Sequence, residues 1–168
     1  ALEGRAQCKI ILGEPAQDDI QAAQEGFEKI PAAIGIAAVK IDNAVYLMLR
    51  GSHGEAEAVL RTISPARLPP KDRANYRLVI AVLNTRRGFD STSSYVDVAS
   101  RYKDLGMKYA FVAAVIMLHV HGTAASERFG GLLREARRIA RKAHYHTELE
   151  AIRRIDKGER PRYSLNLS

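Results

Sequence analysis

The chain has 168 residues, of which 46% are hydrophobic, and it carries a formal net charge of +7 at neutral pH. These apolar residues can fill one core, but no apolar run approaches the roughly 20 residues that cross a bilayer, so we expect no membrane-spanning helix. Because no secretory leader pattern opens the chain, we expect a cytoplasmic protein with a single domain, residues 1–158, and an extended or disordered tail, residues 159–168.

The first third of the chain carries signals for three helices. The apolar segment from Leu2 to Leu12 predicts the first helix, which ends at Gly13. The second begins near Asp18–Asp19, because acidic side chains favour the positive end of the helix dipole. The third begins at Pro31, since a residue in the first helical turn needs no amide donor, and it runs to Arg50.

Six further helices follow with the same apolar spacing of three and four residues. Ser52, with Glu55 three residues later, predicts a capped start for the fourth helix, and Pro69 and Pro70 precede the fifth. The most apolar run, MKYAFVAAVIMLHVH, predicts the seventh. The predicted ranges are 52–65, 72–87, 93–105, 107–121, 124–143 and 145–156. We therefore expect an all-α chain of eight or nine helices.

Five glycines recur at a nearly constant interval. Gly13, Gly51, Gly88, Gly122 and Gly158 are 38, 37, 34 and 36 residues apart, and each follows an apolar helical run. A glycine just past a helix end can adopt the left-handed conformation that other residues avoid. Because each interval is long enough for two helices of ordinary length, the period indicates stacked helical hairpins.

The segment NAVYLMLRGSHGEAEAVLRTISP resembles a tetratricopeptide repeat, in which a glycine ends the first helix and an alanine five residues later lets the second helix pack closely. Gly51, Ala56 and Leu60 stand at these positions. The later repeats are degenerate, because Ser93 and Glu127 replace the alanine. The resemblance implies a right-handed solenoid of about four antiparallel hairpins that presents a concave surface to a peptide or partner protein. In bacteria such arrays are often attached to regulatory ATPases or transcription regulators. The chain does not begin with methionine, so we expect it to be a fragment of a larger protein.

The candidate partner groove has few polar residues. A repeat that clamps a terminal carboxylate carries Lys and Asn ten and six residues before its glycine. Here those positions are occupied by Ile41, Val45, Leu78, Val82, Val112 and Ile116. This pattern argues against a carboxylate clamp and leaves two alternatives, burial in the core or an apolar groove for a partner helix. The polar residues that remain to line a groove are Asn43, Tyr46, Tyr76, Arg77 and Asn84.

The C-terminal quarter is strongly basic, with 11 Lys and Arg against 6 Asp and Glu in residues 123–162. The candidate polyanion patch on its long helix consists of Arg134, Arg137, Arg138, Arg141 and Lys142. Two interpretations stay open: a surface that binds an acidic partner or nucleic acid, or a solvated face that Glu135 and Glu148 partly compensate. Because Phe129 and Tyr145 are the only aromatic residues nearby, stacking on single-stranded bases is not favoured.

Catalysis and metal binding are less favoured. Runs rich in Val and Ile, such as AIGIAAVKI and YRLVIAVL, leave an α/β enzyme as an alternative, with KIDNAV as a hairpin. No phosphate-binding glycine loop or nucleophile elbow is present, and no cofactor is implied. The histidines at 119 and 121, and those at 144 and 146, diverge on a helix, so we expect no metal site. The lone Cys8 has apolar neighbours, Ile10 and Ile11, that indicate a buried thiol.

Overall fold

The computed structural model describes residues 2–28, 33–122, 129–161 and 163. Over these residues the chain forms nine α-helices and one 3-10 turn, and no strand. The elements are α1 (Leu2–Leu12), α2 (Gln17–Glu28), α3 (Ala33–Leu49), α4 (His53–Arg61), the 3-10 turn (Pro65–Arg67), α5 (Pro70–Arg86), α6 (Thr92–Asp104), α7 (Lys108–His121), α8 (Gly130–Ala143) and α9 (His146–Asp156). The predicted all-α class is confirmed. The α/β alternative is wrong for the described residues, because the KIDNAV run lies within α3.

Most helix bounds follow the local sequence signals. α4 ends at Arg61, earlier than predicted, because the N–H and the hydroxyl of Thr62 both donate to the Val59 carbonyl and close the helix there. α8 begins at Gly130, after Phe129, whose backbone (φ −110°, ψ 8°) is not α-helical. The helix starts predicted at residues 31 and 124 fall outside the described residues.

Four of the five periodic glycines end a helix in the left-handed conformation. At Gly51, where φ is +83°, the glycine N–H donates to the Met48 carbonyl at 3.1 Å. The next N–H, that of Ser52, donates to the Leu47 carbonyl at 2.9 Å. These two bonds satisfy carbonyls that the end of α3 leaves without helical partners. The other glycines with positive φ are Gly13, Gly88, Gly106 and Gly158.

Gly122 ends α7 by a different means, so the expectation of a left-handed glycine does not hold there. Its backbone is extended (φ −69°, ψ 145°), and its N–H donates to the Leu118 carbonyl at 2.7 Å. A Cβ atom at this position would lie 2.4 Å from the same carbonyl oxygen. The glycine is therefore required for space. The one non-glycine residue with positive φ in the described part of the chain is His144, at the end of α8.

Contacts along the chain divide it into two compact units, the first ending at Val79 and the second beginning at Ile80. In the first unit α1 packs on α2, α2 on α3, and α3 on α4. A buried carboxylate joins α1 to α2: Lys9 Nζ lies 2.7 Å from Asp19 Oδ2, and Arg5 Nε donates to Asp19 Oδ1 at 2.7 Å. These hydrogen bonds, from Lys9 first and then Arg5, lower the pKa of Asp19.

The second unit is organised around α7, which packs against α6, α8 and α9. All eight residues from Phe111 to Leu118 are buried, so this helix has no solvated side over that stretch. No helix in the described ranges is long and apolar enough to span a bilayer. The prediction of one domain over residues 1–158 stays a prediction, because independent folding, and not contact density, defines a domain.

The apolar residues ten and six positions before the glycines lie in the core. Ile41, Val45, Leu78, Val82, Val112 and Ile116 are each at most 3% exposed. Core burial is confirmed at these positions, and an apolar partner groove there is excluded. The expectation for Cys8 is wrong, since its thiol is exposed. Ala6 and Ile10 are buried one turn apart, and Cys8 lies two residues from each, on the opposite side of α1.

Candidate anion-binding site

α8 is an amphipathic helix of the second unit. Its buried residues are Leu133, Ala136 and Ala140, spaced by three and four. The exposed cations of α8 are Arg134, Arg138, Arg141 and Lys142, and we call these four side chains the basic face. Four of the five residues in the predicted polyanion patch are therefore available to a ligand from solvent.

Arg137, the fifth residue of the predicted patch, is not part of the basic face. Its guanidinium group donates to both carboxylate oxygens of Asp156 in α9, and only 27% of its side chain is exposed. Both contacts come from the single nitrogen Nη2, and they hold the guanidinium group against the carboxylate and neutralise part of its charge. Arg137 therefore connects α8 to α9.

Carboxylates neutralise little of the positive charge of the basic face. Glu135 lies 2.9 Å from Lys103 Nζ of α6 but 3.9 Å from the Arg138 guanidinium group. In the part of the chain that the structure describes, Arg134, Arg141 and Lys142 form no ion pair. Most of the cations of α8 therefore face solvent without a described carboxylate within ion-pair distance.

Glu148, the other expected source of compensation, is buried and forms no ion pair with the arginines of α8 among the described residues. It is 5% exposed and accepts hydrogen bonds from the hydroxyls of Tyr109 (2.9 Å) and Tyr163 (3.1 Å). Burial, followed by the neighbouring Tyr109 and Glu148, raises the pKa of Tyr163, so its hydroxyl remains a donor. The ring of Tyr145 packs edge-on against Tyr109, with centroids 5.2 Å apart. The sequence did not predict this cluster, because its members come from separate segments with no local spacing in common.

A cavity of about 360 Å³ lies beside the basic face. Among the described residues its lining consists of Lys108 from the start of α7 and Arg138, Ile139, Lys142 and Ala143 from α8. We call this the basic cavity, because three of these residues are cations and none is acidic. Its volume is within the range of about 300–1,000 Å³ that is typical of small-ligand sites. No local spacing connects Lys108 with α8, which begins more than twenty residues later.

A second cavity, of about 140 Å³, is lined by residues of α8 and α9. The described lining residues are Arg137, Arg141, Leu149, Ile152, Arg153 and Asp156. The ion pair between Arg137 and Asp156 already satisfies part of the charge here. The basic cavity is larger and contains no such pair, so it is the better candidate for binding an anion.

The five predicted groove residues line neither of these two cavities. Tyr46 is buried in α3, and its hydroxyl accepts a hydrogen bond from Arg50 at 2.9 Å. Asn43 is half-buried, and its amide oxygen has no hydrogen-bond partner in the described part of the molecule. In α5, Tyr76 and Asn84 are half-buried and Arg77 is exposed. A groove formed by these residues stays a prediction, and Tyr46 offers it little surface.

The histidines take part in packing and backbone contacts. His119 Nδ1 donates to the Val115 carbonyl at 2.9 Å, within α7. The His121 ring stacks on Tyr95, with centroids 6.4 Å apart, and burial lowers the pKa of His121. Within the described ranges no three His, Cys, Asp or Glu side chains come together as ligands for a metal ion.

The tetratricopeptide resemblance rests on one segment of the first unit. Gly51 ends α3 with a positive φ, and both Ala56 and Leu60 of α4 are buried. α3 and α4 pack against each other, as two helices of one repeat do. These residues carry the resemblance by themselves, because comparison with protein-family models, with curated proteins and with solved structures finds no match for this chain.

Proposed function

We propose that this chain is a non-catalytic protein-interaction module, resembling tetratricopeptide-repeat domains, whose basic face binds an acidic segment of a partner protein. The observation that supports the proposal most directly is the set of four exposed cations on α8, three of which form no ion pair among the described residues. We expect the module to act in the cytoplasm of a bacterium as a regulatory or sensor module. Neither a cofactor nor a metal enters this proposal.

The burial of the inner positions also supports a role for the outer surface. In a peptide-binding repeat the residues ten and six positions before the glycine face the ligand, but here all six are in the core. α8 combines a packed inner side with an outer side of uniform charge. A rigid surface of this kind can present its charges without first having to fold around a partner.

The physical basis of the interaction is long-range attraction. Clustered cations accelerate the encounter with an acidic surface, and salt weakens this effect. Each exposed ion pair contributes only about 0–1 kcal/mol, so several residues of the basic face must act together. Specificity would come from the spacing of the partner's carboxylates along the helix.

Nucleic-acid binding is the alternative, because arginine side chains also contact phosphates. The exposed side of α8 carries no Asn or Gln, the residues that pair with adenine edges. Tyr145 and Phe129 are half-buried, and the Tyr145 ring packs on Tyr109, which leaves no aromatic platform for bases on the described part of this surface. These features favour an acidic protein segment over a nucleic acid.

The test compares a quadruple variant with a control that loses the same charge. Arg134, Arg138, Arg141 and Lys142 are replaced by Gln in the first. Exposed cations outside the basic face and the predicted groove, Arg61, Arg67, Lys71 and Lys157, are replaced by Gln in the second. Affinity for a glutamate-rich peptide and for a duplex DNA of the same net charge is measured by fluorescence anisotropy over a range of salt concentrations.

We expect the basic-face variant to bind the peptide about tenfold more weakly than the control. Equal losses in the two variants would show that overall charge, and not the basic face, attracts the peptide. Tighter binding of the duplex, with a steep salt dependence that only the basic-face variant reduces, would favour the nucleic-acid alternative.

A further inference from the structure

The lining of the basic cavity combines charged and apolar residues. Arg138 and Lys142 are one turn apart on α8, and Lys108 is the first residue of α7. Ile139, which is half-buried, and Ala143 lie between and beside them on α8 and supply the apolar part of the lining. A molecule in this cavity therefore contacts hydrocarbon and positive charge at the same time.

The cations of this cavity have little neutralisation of their own. In the described part of the chain, Lys108 and Lys142 form no ion pair, and the carboxylate of Glu135 approaches Arg138 only to 3.9 Å. Three like charges around one concave surface repel each other, and the concave shape concentrates their field. An anion in the cavity would relieve that repulsion.

We propose that the basic cavity binds a small amphipathic anion, with one carboxylate or phosphate group attached to a short apolar body. The anionic group would lie among Lys108, Arg138 and Lys142, and the apolar body would cover Ile139 and Ala143. An inorganic anion would leave the apolar part of the lining exposed, whereas a neutral hydrocarbon would leave the cations unpaired. Only a molecule with both parts complements the whole lining. This inference goes beyond the proposed function and does not depend on a partner protein.

The test uses a matched set of small molecules and isothermal titration calorimetry on the full chain. Octanoate and octyl phosphate carry both parts, octan-1-ol lacks the charge, and acetate and inorganic phosphate lack the apolar body. We expect saturable binding of octanoate, octyl phosphate or both, at least about tenfold tighter than that of the other three compounds.

Two variants locate the binding at this cavity. The pair Lys108→Gln and Lys142→Gln removes two charges from the lining, and Ala143→Leu occupies part of the cavity without changing the charge. Both should weaken binding about tenfold. The control pair Arg134→Gln and Arg141→Gln removes two charges from α8 outside the lining and should leave the affinity within about twofold of the original.

Several outcomes would overturn the inference. These are absence of binding by both amphipathic anions, binding of octan-1-ol as tight as that of octanoate, and unchanged affinity in Ala143→Leu. An equal loss in the control pair would also contradict it, since the anion would then be attracted by the general charge of α8. Arg138 and Lys142 belong to both the basic cavity and the basic face, but these titrations contain no acidic peptide, so failure here would leave the proposal of an acidic partner standing.

Discussion

The guanidinium group of Arg137 in α8 donates to both carboxylate oxygens of Asp156 in α9. The next residue, Arg138, has its side chain 77% exposed and lies 3.9 Å from its nearest described carboxylate partner, Glu135. Two adjacent arginines of the same helix therefore have different physical roles. One holds two helices together, and the other is available to bind an anion.

Replacing each of these arginines separately should distinguish the two roles. We expect Arg137→Gln to lower the free energy of unfolding by about 1 kcal/mol, because the lost ion pair is partly exposed. Arg138→Gln should leave stability almost unchanged but weaken binding of an acidic peptide. Urea denaturation followed by circular dichroism, together with anisotropy titrations, measures both effects. The assignment fails if the two variants exchange these phenotypes.

The carboxyl group of Asp42 should make stability depend on pH in an unusual direction. Burial raises its pKa from the model-compound value of 3.8 to about 6, although a hydrogen bond from Gln7 at 3.0 Å opposes the shift. Because the folded state holds the proton more tightly than the unfolded state, this group contributes stability that is fully present below about pH 3.8 and is lost as the pH rises through about 6.

Asp42→Asn should remove that dependence. A shift of about two pKa units corresponds to about 3 kcal/mol, as an upper value for one buried group. We expect the stability of the variant, relative to the original chain, to increase between pH 4 and 7 when unfolding is measured with urea at several pH values. Gln7→Leu removes the opposing hydrogen bond and should shift the loss to higher pH. A stability difference between Asp42→Asn and the original that does not vary with pH would contradict this assignment.

The buried carboxylate of Glu148 should make the two tyrosine hydroxyls important for stability. Tyr163→Phe removes one donor and leaves the carboxylate with less hydrogen bonding in a site that is 5% exposed. Hydrogen bonds to charged groups contribute about 1.5–3 kcal/mol, so we expect a loss in that range, and a similar one for Tyr109→Phe. Tyr145→Phe is the control, because it keeps the ring contact with Tyr109 and removes only its own hydroxyl. If thermal unfolding shows that Tyr145→Phe loses as much stability as Tyr109→Phe and Tyr163→Phe, this explanation is refuted.

Two glycines three residues apart should respond oppositely to alanine. Gly51 has a φ of +83° and no atom within 4 Å of an added Cβ, so Gly51→Ala introduces backbone strain but no collision. We expect a loss of about 1–2 kcal/mol. Gly54 lies inside α4 with equally open space, and Gly54→Ala should gain about 0.5 kcal/mol from helix propensity. The denaturation midpoint of each variant is compared with that of the original chain. If both midpoints rise, or both fall, this account is ruled out.

The parts of the fold that depend on local chemistry could be predicted from the sequence. The positive φ at Gly51 follows from its position just past an apolar helical run. Helical spacing places Ile41 and Val45 on an apolar side of their helix and Arg134 and Arg138 on a charged side of theirs, and the structure buries the first pair and exposes the second. Each of these features is determined by residues within two helical turns.

The features that sequence reasoning missed involve residues far apart in the chain. Arg137 lies on the same side of α8 as the cations of the basic face, so its spacing does not distinguish it from them. Only the packing of α9 brings Asp156 to it, from 19 residues away. Tyr109 and Glu148 are 39 residues apart, and no spacing rule connects them. Lys108 is likewise brought to the basic cavity by the packing of α7 against α8. The site therefore depends on tertiary packing more than the fold class does.

The complete burial of α7 between Phe111 and Leu118 determines how the second unit opens. A helix with a solvated side can expose its amides by a local fluctuation, but α7 would have to separate from α6, α8 and α9 together. Its amide hydrogens should therefore exchange with solvent deuterium only when the whole unit unfolds. Their exchange rates give a direct measure of the global stability of that unit in the absence of denaturant.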